Sequence, residues 1–212
     1  MCGIIGIASN KSVSVNIINA LKKLEYRGYD SAGLATINKG IIDEKKCPGR
    51  VEKLEKILFQ NPIEGNLGIG HVRWATHGVP NEANAHPHST EIVSVVHNGI
   101  IENSSELKKI LEKEGKTFKS QTDTEVITVL LTEKLKNTEP LEAVFKTLGL
   151  LKGSFALGII FKRPSVVIFL STSSRLYCNP SIFVKSFWLS SDKLLTSSKY
   201  FSWSGIFKDA IL

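Results

Sequence analysis

The sequence predicts a layered sandwich of the α/β or α+β class, and three observations lead there. Over roughly the first 160 residues, short apolar runs rich in β-branched residues alternate with segments whose apolar residues recur at helical spacing. The chain has 212 residues, so it forms one large domain or two small ones and is long enough to bury a core. No internal repeat is visible, which argues against a solenoid or propeller.

The elements follow in order. CGIIGIA reads as a buried strand, because a short β-branched apolar run has no polar face to show water. Ile17, Leu21 and Leu24 share one helical face, so a helix is expected over about 14–24. YRGYDSAG breaks it with turn residues, and LATIN continues as a strand. RVEKLEKIL aligns Val51, Leu54 and Leu58 as a second helix. LGIGHVRWA and EIVSVVHNG read as strands joined by the polar loop THGVPNEANAHPHST. Asn103 with Glu106 resembles a capping box before LKKILEK, and Gly115 is a plausible stop. Thr122 with Glu125 repeats that signature before VITVLLTEKLK. Pro140 suits the first turn of LEAVFKTLGLL. SFALGIIF and SVVIFL read as two further strands.

Composition narrows the function classes. Apolar residues make up 42% and charged residues 22%, an ordinary soluble balance, and no apolar run reaches the ~18 residues that would span a membrane. The start of the chain lacks the basic region and the long apolar run of a secretory signal, so a cytoplasmic location is expected. Cys2, Cys47 and Cys178 are scattered, which fits neither a disulfide framework nor a zinc site. The net charge of +7 lies wholly after residue 142, spread thinly among serines, so a nucleic-acid partner is not expected.

The chemistry-bearing residues concentrate near strand ends. Methionine aminopeptidase removes an initiator methionine that precedes a small residue, and cysteine qualifies. Cys2 would then carry both a thiol and an α-amine whose pKa lies near ~8, nucleophile and base in one residue. A small cysteine buried in a strand is the bland alternative. YRGYDSAG places Arg27 and Asp30 in a glycine-rich turn, where an ion pair alone would explain them. GHVRWATHG ends a strand with Arg73, Trp74, Thr76 and His77, and a guanidinium at a strand end suits a bidentate grip on a carboxylate. HNGIIEN offers the Asn98 amide and the Gly99 N–H, the donor pair that an oxyanion hole requires, though Asn-Gly is also a common turn. Asp123 opens a helix, where it serves as a cap or grips a ligand ammonium. His86-Pro87-His88 suggests a metal, but no third ligand at sensible spacing is evident.

Six ordered motifs, MCGIIGI, YRGYDSAG, GHVRWATHG, AHPH, HNGIIEN and GSFAL, together resemble the N-terminal-nucleophile (class II) glutamine amidotransferase domain over about residues 2–161. Within that family the form RWATHG resembles the glutaminase half of the glutamine–fructose-6-phosphate aminotransferases. The resemblance implies an α+β, four-layer αββα sandwich of the N-terminal nucleophile hydrolase type. It implies hydrolysis of the glutamine side-chain amide to glutamate and ammonia through a Cys2 thioester, with no cofactor and no metal. It implies Asn98 and Gly99 as the oxyanion donors, and Arg73 and Asp123 as partners of the glutamine carboxylate and ammonium. Trp74, Thr76 and His77 would line the pocket, and Arg27 would support the nucleophile.

Two departures accompany it. The sugar-isomerase (synthase) domains that follow the glutaminase in the family are absent from this chain. Where the family carries a stretch like ARKGSPL, this chain has STSSRLYCNPS, so 163–212 is read as a divergent C-terminal part of a 2–212 domain. Decay or a shifted reading frame there is the expectation, with the last strands packing poorly. Two other readings stay open, a glutaminase serving a purine-pathway amidotransferase and a truncated non-catalytic remnant.

Overall fold

The computed structural model describes residues 2–75, 78–163, 166–171 and 199–203. The order is β1 (Gly3–Ala8), α1 (Ser14–Leu24), a 3₁₀ turn (Glu25–Arg27), β2 (Ser31–Asn38), β3 (Ile41–Pro48), α2 (Val51–Gln60), β4 (Leu67–Arg73) and β5 (His88–Ser89). Then come β6 (Val93–Ile101), α3 (Ser104–Lys113), α4 (Asp123–Lys134), α5 (Pro140–Leu148), β7 (Gly153–Phe161), β8 (Val166–Ser171) and β9 (Lys199–Trp203).

The strands form two sheets, ordered β3-β2-β4-β1-β9 and β5-β6-β7-β8. Every pairing is antiparallel, which resolves the class as α+β. The apolar face of α1 (Ile17, Ile18, Leu21) and that of α2 (Val51, Leu54) close over the outer side of the first sheet. Ile127 and Leu131 of α4 and Val144 and Leu148 of α5 cover the second sheet. Between the sheets lies a layer of Ile4, Ile37, Ile69, Val96, Ala156 and Ile160. The result is the four-layer αββα sandwich. The α3 helix leans on α4 through Leu107 and Leu111 against Val126 and Leu130.

The helix starts differ from the capping expectation. Neither Asn103 nor Thr122 makes a side-chain cap bond. Instead the Asn103 amide donates to the Leu150 carbonyl at 2.8 Å and accepts from the Lys152 N–H at 2.9 Å, tying α3 to the α5–β7 connection. The Thr122 hydroxyl bonds His88 Nε2 at 2.8 Å, and the Glu125 carboxylate accepts from the Lys119 and Ser120 N–H groups at 2.8 and 2.7 Å. Gly115 does follow the end of α3, with φ +81°. Pro140 opens α5.

β3 and β5 lie in segments not expected to be strands. At the C-terminal side, β8 buries Val167, Ile168 and Leu170. β9 pairs with β1 from Ile4↔Trp203 to Ala8↔Lys199. The remainder of the 163–212 segment lies outside the described residues. Among the described residues no helix is long and apolar enough to cross a membrane.

Sheet register assembles the site. In the first sheet, Gly3 pairs with Val72 and Ser31 with Arg73, so Cys2, the 28–30 turn and the end of β4 meet at one edge. In the second sheet, β6 is buried up to His97 and then opens at Asn98–Ile100.

Candidate active site

Cys2 sits partly buried directly before β1. Its backbone nitrogen donates to Asn98 Oδ1 at 3.2 Å, a bond between the two sheets. That bond turns the carbonyl end of the amide toward Cys2, and the remaining end, Nδ2, is a donor. The Cys2 thiol donates to the Trp74 carbonyl at 3.7 Å, and the Trp74 N–H donates back to Sγ at 3.5 Å. Burial pushes the Cys2 thiol above its ordinary pKa, against the Trp74 N–H and the Arg73 charge, which both favour thiolate. The resting group is therefore a thiol that must hand its proton to a base before it attacks. Arg27 Nε donates to the Cys2 carbonyl at 3.1 Å and fixes the backbone beside the sulfur.

Next along β6, Gly99 has φ +143°, and a Cβ there would meet the Ser154 carbonyl at 2.3 Å. Only glycine is accommodated at this point of the strand. The Arg73 side chain is 4% exposed. Its guanidinium donates to the Gly78 carbonyl at 3.3 Å and lies 3.8 Å from Asp30 Oδ1. Trp74 is 47% exposed, with its ring edge-on to Tyr29 at 5.5 Å. Asp123, the first residue of α4, accepts from the Ile101 N–H at 2.9 Å and lies 3.6 Å from His97 Nδ1.

Of the candidates read from the sequence, Cys2, Arg73, Trp74, Gly99 and Asp123 line one pocket. Asn98 joins it through its bond to Cys2. Arg27 stands behind the Cys2 carbonyl. Thr76 and His77 lie outside the described residues. One cation, Arg73, and one carboxylate, Asp123, thus share a pocket with the Cys2 thiol.

Four further residues line the pocket, His86, His97, Thr122 and Thr124. The sequence raised His86 only toward a metal and Thr122 only as a helix cap, and gave His97 and Thr124 no role. The Thr124 hydroxyl sits between His86 Nε2 at 2.7 Å and His97 Nδ1 at 2.9 Å. His71 stacks on His86, with ring centroids 4.2 Å apart. Its Nε2 lies 2.9 Å from the His97 carbonyl, and since a carbonyl only accepts, Nε2 carries the proton. Burial lowers the His71 pKa to about 3 and holds His86 and His88 well below the ordinary value. These three stay neutral near pH 7, and each ring is held by a hydrogen bond, to the His97 carbonyl, the Thr124 hydroxyl and the Thr122 hydroxyl respectively. His86-Pro87-His88 was the available signal, and it was weighed toward a metal for which no third ligand was evident. Among the described residues no group of three or more His, Cys, Asp or Glu is placed to hold one.

Comparison with known proteins bears on this pocket. A family model described as a glutamine amidotransferase domain matches residues 71–177. The chain is 53% identical over 163 residues to the glutamine–fructose-6-phosphate aminotransferase (isomerizing) of Mesorhizobium japonicum. That match covers 76% of this chain and 27% of the relative. The enzyme of the same name from Clostridium acetobutylicum is 50% identical over 179 residues, covering 83% of this chain and 29% of the relative. The chain thus spans about a quarter of the length of these curated relatives. Among solved structures, the glutamine phosphoribosylpyrophosphate amidotransferase of B. subtilis, complexed with ADP and GMP, is similar with a TM-score of 0.70 and 25% identity. That match covers 80% of this chain and 37% of that one.

Proposed function

The chain belongs to the glutamine amidotransferase domain family, and from that premise we propose that Cys2, freed of Met1, hydrolyses the side-chain amide of glutamine. The observation that carries this reading is the 3.2 Å bond between Cys2 and Asn98, which brings nucleophile and oxyanion donor together from different sheets. Arg73 takes the α-carboxylate and Asp123 the α-ammonium, with Thr76, His77 and Trp74 around the substrate.

The α-amine of Cys2 accepts the thiol proton as sulfur attacks the amide carbon. The Asn98 Nδ2 and Gly99 N–H groups hold the tetrahedral oxygen. Collapse breaks the C–N bond, the ammonium of Cys2 returns its proton to the leaving nitrogen, and ammonia departs. Water then attacks the thioester, the C–S bond breaks, and glutamate and the thiol are released. Neither a metal nor a cofactor is required by these steps.

The identity to the fructose-6-phosphate aminotransferases supports a role in feeding ammonia to a synthase that makes glucosamine 6-phosphate. Their level of identity outweighs the 25% shared with the phosphoribosylpyrophosphate enzyme, so the purine-pathway reading is not preferred. Residues 2–212 are assigned to one glutaminase domain, with 163–212 as its divergent part, acting in the cytoplasm.

The test is glutamate release by the purified chain and by Asn98→Ala. Loss of one oxyanion donor costs on the order of 10²–10³ in kcat. That loss, with an unchanged melting temperature, is the expected result. Comparable turnover by both proteins would overturn the oxyanion assignment, and no release by the parent chain would favour the non-catalytic remnant.

A further inference from the structure

Asp30 lies beside Arg73 and within electrostatic reach of the Cys2 thiol, and the steps above do not use it. Its backbone N–H donates to the Arg73 carbonyl at 3.2 Å, and its own carbonyl accepts from the Gly49 N–H at 2.7 Å. Its carboxylate does three more things. Oδ2 accepts from the Ala75 N–H, Oδ1 accepts from the Ser31 hydroxyl at 3.0 Å, and Oδ1 lies 3.8 Å from the Arg73 guanidinium. With the Arg73 side chain 4% exposed and that of Asp30 18% exposed, solvent screens the pair weakly, and a guanidinium so deeply buried requires a counter-charge.

The rest of the turn holds the same backbone. A Cβ on Gly28 would meet the Arg73 carbonyl carbon at 2.4 Å and the Trp74 nitrogen at 2.6 Å, so the turn presses directly on the strand end. Tyr29 meets the Trp74 ring edge-on and lies under the Arg50 guanidinium at 5.6 Å. The segment that bears Arg73 and Trp74 is thus clamped from one side by residues 28–30.

We propose that Asp30 is a positioning residue for glutamine recognition, holding the Arg73 guanidinium and the Trp74–Ala75 backbone where they receive the substrate carboxylate. It acts through Arg73 and touches no reacting atom. The inference rests on the glutaminase reading, and the test separates the two.

The rates of Cys2 alkylation by a glutamine-analogue diazo-ketone and by iodoacetamide are compared in the parent chain, Asp30→Asn and Asp30→Ala. Only the first reagent carries the amino-acid head group that Arg73 would grip. The parent reacts selectively with the diazo-ketone. In Asp30→Ala that rate falls roughly tenfold or more, because misplacing a binding group by about an ångström has effects of this size. The iodoacetamide rate holds or rises, since the Asp30 charge disfavours the thiolate. In steady state KM for glutamine rises about tenfold while kcat stays within about threefold. Asp30→Asn keeps an acceptor for the Ala75 N–H but loses the charge, and falls between.

Unchanged selectivity in a folded Asp30→Ala overturns the positioning role and leaves the glutaminase reading intact. Equal loss with both reagents overturns it too, since that reports general damage around Cys2. A parent chain with no preference for the amino-acid reagent overturns the glutaminase reading, and this inference falls with it.

Discussion

His71, His86 and His88 put a titration burden on this molecule that single side chains explain. Burial holds the His71 pKa down to about 3, whereas an unfolded histidine titrates near ~6.5. Between those values the unfolded chain binds more protons than the folded one. Stability is therefore complete above about pH 6.5 and is lost as pH falls toward 3. At pH 5 His71 alone costs about 2 kcal/mol, and His86 and His88 act in the same direction. Urea melts at pH 7, 6 and 5 should show a steady loss. His71→Gln keeps a donor for the His97 carbonyl without titrating, so its slope should be shallower. A midpoint constant from pH 7 to 5 would contradict the buried neutral cluster.

At the scale of elements, the two sheets interlock through one aromatic ring. The Phe169 ring of β8 lies between Gly6 of β1 and Gly158 of β7. A Cβ on Gly6 would reach Phe169 Cε2 at 2.1 Å, and one on Gly158 would reach Cε1 at 2.7 Å. Gly6→Ala should cost about 1–3 kcal/mol by overpacking. Phe169→Leu in the same chain should relieve part of it, a coupling that a double-mutant cycle in urea measures. Strictly additive effects would contradict the shared slot. Strong periodicity made most elements legible, as with Ile17, Leu21 and Leu24 on α1. IIDEKKCP hid β3 because it is an edge strand with four charged residues in its middle and an exposed isoleucine at its start, which blurs the apolar alternation. The capping boxes were misleading for a related reason. Asn103 and Thr122 bond partners distant in sequence, Lys152 and His88, and no local window contains them. The same limit governs the site. Cys2, Arg73, Asn98 and Asp123 were each open to a bland reading alone and became legible as a set of ordered motifs. Thr124 carried no sequence signal, and His86 and Asp30, read as a metal candidate and as part of a turn ion pair, find their actual partners only once the register shows which strand ends face each other.

The whole molecule works as a frame that meets at one edge. The first sheet delivers Cys2, Asp30 and Arg73, the second delivers Asn98 and Gly99, and the start of α4 delivers Asp123. Helices on both outer faces keep the pair of sheets in register. The central claim is that this convergence makes Cys2 a nucleophile aimed at the glutamine amide. Intact mass spectrometry after incubation with a glutamine-analogue diazo-ketone, beside a Cys2→Ala control, tests it most directly. The account predicts a chain lacking Met1 that gains one adduct, with none on the control. Retained Met1, or equal labelling of the control, would contradict it.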